Sequence, residues 1–237
     1  DLENIMLRSI YRPIALLLIS LFPFAAMAEI LEVYEWKANP GMGQQMFETM
    51  AGAKQIHETL GVRVDVYGLQ VGSDGSVHYV MRFDSMADWG SKKDAIASSA
   101  EWMEFYAEAG KKAASELQSS LIGINLDESV KASSFDDLQV FNAFVWDPAP
   151  GKTGLLVSRM AEAKQLHEGL GARIDIYAEG IGGTGNYHYI VSFKNWTDMA
   201  AFTTKLNGSK AWAKFNSESD PTAATLIKSF SGQRAPL

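Results

Sequence analysis

The imidazoles of this 237-residue chain are four, and they fall at two pairs of positions 110 apart: His57 with His167, and His78 with His188. Each second histidine is followed by a tyrosine, Tyr79 or Tyr189, and each set also carries an Arg-x-Asp-x-Tyr run: Arg63, Asp65, Tyr67 and Arg173, Asp175, Tyr177. Two chemistries suit these residues. An imidazole beside a tyrosine hydroxyl can line a ligand pocket, or the two can simply satisfy each other inside a core, as buried polar groups must. An arginine beside histidine and tyrosine can grip a ligand carboxylate while His or Tyr moves a proton; the same Arg and Asp can instead form a buried ion-pair network.

A metal site is not expected. The two histidines of one set point to opposite faces of a sheet, so N/O ligands could converge only if His78 met His188 with help from Asp65 and Asp175. No GxSxG, GxxxxGK[ST] or HExxH is present, and zero cysteines exclude disulfides, thiolate metal sites and a cysteine nucleophile. No motif calls for a cofactor, with haem or a metal left open. A net charge of −7 argues against a nucleic-acid partner, whose phosphates would be repelled. Hydrophobic residues at 47% are ample for a packed core.

The elements that must position these residues come as a repeat. Residues 50–67 (MAGAKQIHETLGVRVDVY) and 160–177 (MAEAKQLHEGLGARIDIY) agree at 12 of 18 positions, and the offset of 110 holds without a gap from Trp36/Trp146 to Phe105/Phe215. A period of that length is a small domain, so the chain reads as a tandem duplication: 29–126, a polar linker 127–137, and 138–237. Divergence is uneven, for 86–97 and 196–207 share only Asp88/Asp198.

Each unit reads β-α-β-β-α-β. Met46, Met50, Ala53, His57 and Leu60 form the apolar stripe of an amphipathic helix that ends at Gly61. Val62, Val64 and Val66 alternate with Arg63, Asp65 and Tyr67, and in the next strand Val77, Tyr79, Met81 and Phe83 alternate with His78, Val80 and Arg82. The valine face must meet the helices, so the charged face must be covered by the other unit. Ser85 and Asn195 are expected N-caps. The last strand of each unit is placed near Glu116–Ile124 and Ala224–Phe230.

Upstream, Arg8 and Arg12, an apolar run over Ile14–Phe24 and Ala26-Met27-Ala28 follow the order of a secretory signal peptide starting at Met6. The run is too short to span a bilayer, which takes about 20 residues. The mature chain is therefore expected to begin at Glu29, in a periplasm or outside the cell, with no stable membrane span.

Pro-Gly after the first strand, a helix closing on Leu-Gly, a hairpin, and a Trp…Ser…Trp-x-x-Phe run (Trp102 and Phe105; Trp212 and Phe215) resemble the dimeric α+β barrel superfamily. Its relatives include antibiotic-biosynthesis-monooxygenase-like, stress-responsive barrel and NIPSNAP-type domains. The resemblance covers each unit in turn. It implies an α+β fold of two ferredoxin-like repeats packed sheet to sheet as a single-chain barrel, pairing intramolecularly, with higher oligomers open. It also implies a pocket between helices and sheet, where monooxygenase and haem-handling relatives hold their ligands; Trp89, Trp102 and Trp212 either line it or belong to the core, and the expected ligand is a small apolar or aromatic molecule, with or without cofactor-independent oxidation. No family catalytic residue maps onto His57 or Tyr79. The alternative is a non-catalytic structural or interaction protein. A cavity of about 300 Å³ or more beside His57 or His167 would favour ligand binding.

Overall fold

In the computed structural model, residues 28–237 are described; the predicted signal peptide, apart from Ala28, lies outside the described residues. The first half runs β1 (Ile30–Ala38), α1 (Gly43–Thr59), β2 (Arg63–Leu69), β3 (Val77–Phe83), α2 (Met86–Ala97), α3 (Ala100–Lys112) and β4 (Ser115–Asn125). After a short 3-10 turn (Ala132–Phe135) the order recurs: β5 (Val140–Pro148), α4 (Thr153–Gly169), β6 (Arg173–Glu179), β7 (Tyr187–Phe193), α5 (Trp196–Asn207), α6 (Lys210–Ser217) and β8 (Ala224–Arg234).

The eight strands close into an antiparallel barrel in the order β1-β3-β2-β8-β5-β7-β6-β4. The halves therefore meet edge to edge, through the short β2–β8 and β4–β6 ladders, and not by stacking two separate sheets. At both seams a hairpin loop laps over the neighbouring strand. Gly72 and Gly182 have φ of 84° and 83°, and a Cβ on either would lie 2.2 or 2.4 Å from a backbone oxygen of that strand, so only glycine fits.

Alternation along the strands then sorts the side chains into three layers. Val62, Val64, Val66, Tyr79, Met81 and Phe83 face α1 to α3, and Ile174, Ile176, Tyr189, Val191 and Phe193 face α4 to α6. The opposite faces line the barrel lumen, where Leu31, Tyr67, Val80 and Tyr177 cluster. The expected caps form: Ser85 Oγ accepts from Asp88 N, and Asn195 Oδ1 from Asp198 N. Helix α1 stops at Thr59, which leaves Leu60 half-buried at its C-terminal cap and gives the last place on the apolar stripe to Ile56 and His57. The polar stretch 127–137 carries Phe135, 3% exposed, into one end of the barrel.

Candidate functional site

At that end the lumen holds a charge network. Arg63 donates to Asp65 through two bonds of 3.2 Å, and Arg173 to Asp175 at 2.8 and 2.9 Å. Arg82 donates to Asp65 (2.9 Å), Glu29 (2.7 Å) and the Tyr177 hydroxyl (3.2 Å). Arg234 lies 3.1 Å from Asp65, and Arg63 also binds Asp136. Burial alone would raise the Asp65 carboxyl, but the charges of Arg82, Arg234 and Arg63, with the hydrogen bond from Arg63, hold it below its ordinary range. Four guanidiniums thus meet three buried carboxylates, Glu29, Asp65 and Asp175, and the exposed Asp136, and Phe135 lies across the end with Arg82 3.7 Å and Arg173 4.6 Å from its ring centre. The arrangement matches the ion-pair alternative: each arginine is already engaged by the protein's own carboxylates.

His78 and His188 line the other end. His188 pairs with Glu179 at 2.8 Å, while His78 lies 3.9 Å from Glu35. Val80 stands between His78 and Arg82 on β3, and Ile190 between His188 and Ser192 on β7, so an apolar layer separates these histidines from Asp65 and Asp175. The four residues of the conceivable metal set do not converge. Among the described residues no group of three or more His, Asp or Glu side chains could hold a metal ion.

On the helix side, His57 Nδ1 lies 2.7 Å from the Tyr79 hydroxyl, and His167 Nδ1 lies 2.8 Å from that of Tyr189. Each imidazole also packs on a tryptophan, Trp102 at 4.3 Å and Trp212 at 4.6 Å between ring centres. Burial pushes His57 down to about 4, helped by the charge of Lys93, and burial alone pushes His167 to about 4. Burial also keeps both tyrosines protonated far above the usual phenol range. Both pairs are therefore neutral near pH 7, with the phenol donating to Nδ1 and leaving the proton of each imidazole on Nε2. The His167 Nε2 is buried without a hydrogen-bond partner.

Here the halves part. Beside His57 lies a cavity of about 640 Å³ walled by Met46, Met50, Met81, Trp102, Phe105 and Tyr106. Behind two of its lining residues, Tyr34 and Lys93, the buried Glu32 carboxylate accepts from the Tyr34 hydroxyl (3.0 Å), Lys93 Nζ (3.1 Å) and Trp89 Nε1 (2.7 Å). Burial and Glu32 raise the Tyr34 phenol well above its ordinary value. The equivalent positions in the second half are Asn142, Met199, Phe144 and Thr203. There Arg159 replaces Thr49 of the cavity wall; it donates to the Phe215 carbonyl (2.9 Å) and Ser219 Oγ (2.8 Å) and lies 3.9 Å over the Phe215 ring. Phe202, where the first half has Lys92, closes on His167 at 5.4 Å.

No protein-family model and no curated protein sequence matches the chain. Solved structures do. A provisionally assigned monooxygenase of Fusobacterium nucleatum subsp. nucleatum superposes with a TM-score of 0.58 at 11% identity, over 87% of this chain and 92% of that one. A provisionally assigned chlorite dismutase gives 0.55 at 12% identity, over 88% and 95%. A chlorite dismutase variant from Candidatus Nitrospira defluvii gives 0.51 at 9% identity, over 88% and 92%. At these identities the likeness is one of fold.

The residues predicted from sequence thus separate into four places. His57 and Tyr79 line the first-half cavity, and His167 and Tyr189 pair in the second half. Arg63, Asp65, Arg173 and Asp175 belong to one end of the lumen, with the Tyr67 and Tyr177 hydroxyls reaching toward Arg234 and Arg82. His78 and His188 belong to the other. Sequence reasoning missed Glu29, Arg82 and Arg234 in the network, and Glu32, Tyr34 and Lys93 at the cavity. Arg82 was visible in the strand alternation that grouped it with His78; the others become neighbours through strand register and helix docking.

Proposed function

We propose that this is an exported protein, built from two duplicated ferredoxin-like units, whose first half binds a small, largely apolar or aromatic molecule beside His57. The observation that carries the reading is the 640 Å³ cavity whose wall includes Tyr34 and Lys93, both held from behind by the buried Glu32. Its size suits a small-molecule site, with apolar walls and a few convergent polar groups. A flat ligand would stack among Trp102, Phe105 and the methionines, with a hydroxyl or carbonyl directed to Tyr34, Lys93 or the His57–Tyr79 pair.

Cofactor-independent oxygenation, the activity that the sequence resemblance implies, would require a substrate that gives up a proton inside the cavity. The Nδ1 lone pair of His57 is taken by the Tyr79 hydroxyl, so such a proton would have to pass to the Tyr79 oxygen as that hydroxyl gives its own proton to His57. The cavity does not fit haem: Lys93 is the single Lys or Arg among its lining residues and is already paired with Glu32, which leaves no cations for two propionates.

The repeat and the recurrence of one element order support duplication, and the signal-peptide pattern supports export with cleavage after Ala28. Native mass spectrometry of the protein recovered from periplasm tests the reading. The expected species is a chain beginning at Glu29 carrying one small organic ligand, lost in Trp102→Ala. A ligand-free chain that shows no saturable binding of 1-naphthol would support the non-catalytic structural alternative.

A further inference from the structure

The lumen has its own cavity, about 250 Å³, apart from the helix-side site. That is room for about eight waters, or a ligand of similar heavy-atom count. Its waist is apolar, with Val33, Val80, Phe141, Ala143, Ile190 and Phe230. Its floor is the charge-balanced network under Phe135. Its remaining polar groups lie at the opposite end: Glu35, Glu179, His78, His188, Lys228 and Ser119.

Those carboxylates are not a product of the repeat. Glu35 faces His78 across the β1–β3 ladder, and its equivalent is Val145. Glu179 serves His188 from β6, and its equivalent is Leu69. Each lumen histidine has therefore gained a carboxylate from a different strand, which inheritance of one ancestral pair does not explain. The two differ in how well they are satisfied. Glu179 accepts from His188 (2.8 Å), Thr184 N (2.7 Å) and Asn186 N (3.0 Å). Glu35 is held loosely, by Ser119 Oγ at 3.3 Å, Lys228 at 3.8 Å and His78 at 3.9 Å. A half-buried carboxylate with such weak contacts has capacity for another donor.

We propose that the lumen binds a small organic cation, its ammonium on Glu35 and its apolar body in the waist beside Phe141 and Phe230. Lys228 stands 3.8 Å from Glu35 and 4.9 Å from the Phe230 ring centre, so a ligand ammonium would take the side of Glu35 that Lys228 leaves open. An aromatic body would pack against Phe141 and the remaining face of Phe230.

Calorimetric titration of the mature chain with benzylamine, and with benzyl alcohol as its neutral counterpart, tests this. The amine should bind at least tenfold more tightly, and Glu35→Gln should erase the difference. Equal binding of the two probes, no saturation by the amine at millimolar concentration, or an undiminished preference in Glu35→Gln would overturn the proposal. If Glu35→Gln does not fold, NMR of the wild type decides: benzylamine should shift the His78 and Phe230 signals and leave those of His57 in place, and shifts confined to His57 would overturn it.

Discussion

The two halves share an element order and a His–Tyr–Trp stack, yet one keeps a cavity beside that stack and the other sets Arg159 and Phe202 in the equivalent region. Because His57–Tyr79 and His167–Tyr189 have the same geometry, the pair by itself is a way of burying an imidazole with its hydrogen bond made. What distinguishes the first half is a hydrogen-bonded set, Glu32, Tyr34, Trp89 and Lys93, at positions that hold Asn142, Phe144, Met199 and Thr203 in the second. The lumen is asymmetric in the same sense. Asp65 meets Arg63, Arg82 and Arg234, whereas Asp175 meets Arg173 alone among the arginines. Function is to be sought where the copies differ, and stability where they agree.

The largest expected effect breaks the lumen symmetry. Asp65→Ala removes the buried carboxylate that Arg63, Arg82 and Arg234 share, leaving Arg82 with Glu29 as its remaining carboxylate, and should cost about 3–5 kcal/mol of unfolding free energy. Asp175→Ala frees an arginine that is 30% exposed and should cost less, about 1–3 kcal/mol. Urea denaturation checks both, and the double variant Asp65→Ala/Arg82→Met should recover part of the larger loss. Equal costs at the two aspartates would dissolve the contrast.

Next comes a property in which the halves should agree. His57 and His167 titrate near 4 when folded and near 6.5 when unfolded, so the unfolded chain takes up protons first as pH falls. Their stability contribution is complete above about 6.5 and lost as pH drops toward 4, about 3 kcal/mol for each at about 1.4 kcal/mol per pH unit. Asp65 acts lower. Its carboxyl is depressed in the fold, so its contribution is lost only once pH falls below the unfolded carboxylate range, about 4. His57→Gln and His167→Gln should each flatten the 6.5-to-4 slope by a similar amount in pH-dependent denaturation.

The smaller effects belong to the first half alone. Glu32→Gln removes the charge that three donors share and should cost about 1–2 kcal/mol in urea denaturation. Lys93→Met should raise the His57 pKa, read from imidazole NMR shifts, and leave His167 unmoved. A matching change at His167 would show that the two stacks are not electrically independent.

Much of this architecture is legible in the residues. The alternation of Val62, Val64 and Val66 with Arg63, Asp65 and Tyr67 states which face meets a helix and which must be covered, and the repeat supplies the cover. Ser85 and Asn195 announce helix starts because their side chains can satisfy the free amides there. Other features arise from register and docking. Glu29 precedes β1 as a single acid with nothing to mark it, and meets Arg82 only when β1 pairs with β3. Phe135 lies in a polar stretch, and its burial depends on a lumen that exists only once both halves have closed. The cavity borders Thr49 where the second half has Arg159, and it lies beside α3, which runs 13 residues where α6 runs 8. No pattern within either half reveals such a difference.

The exchange of those two wall residues tests the central claim most directly. Titrating 1-naphthol into the wild type, Thr49→Arg and Arg159→Thr, with tryptophan fluorescence as the signal, should show saturable binding in the wild type that weakens at least tenfold in Thr49→Arg and is unchanged at that site in Arg159→Thr. Binding in a folded Thr49→Arg variant equal to that of the wild type would contradict a ligand site beside His57.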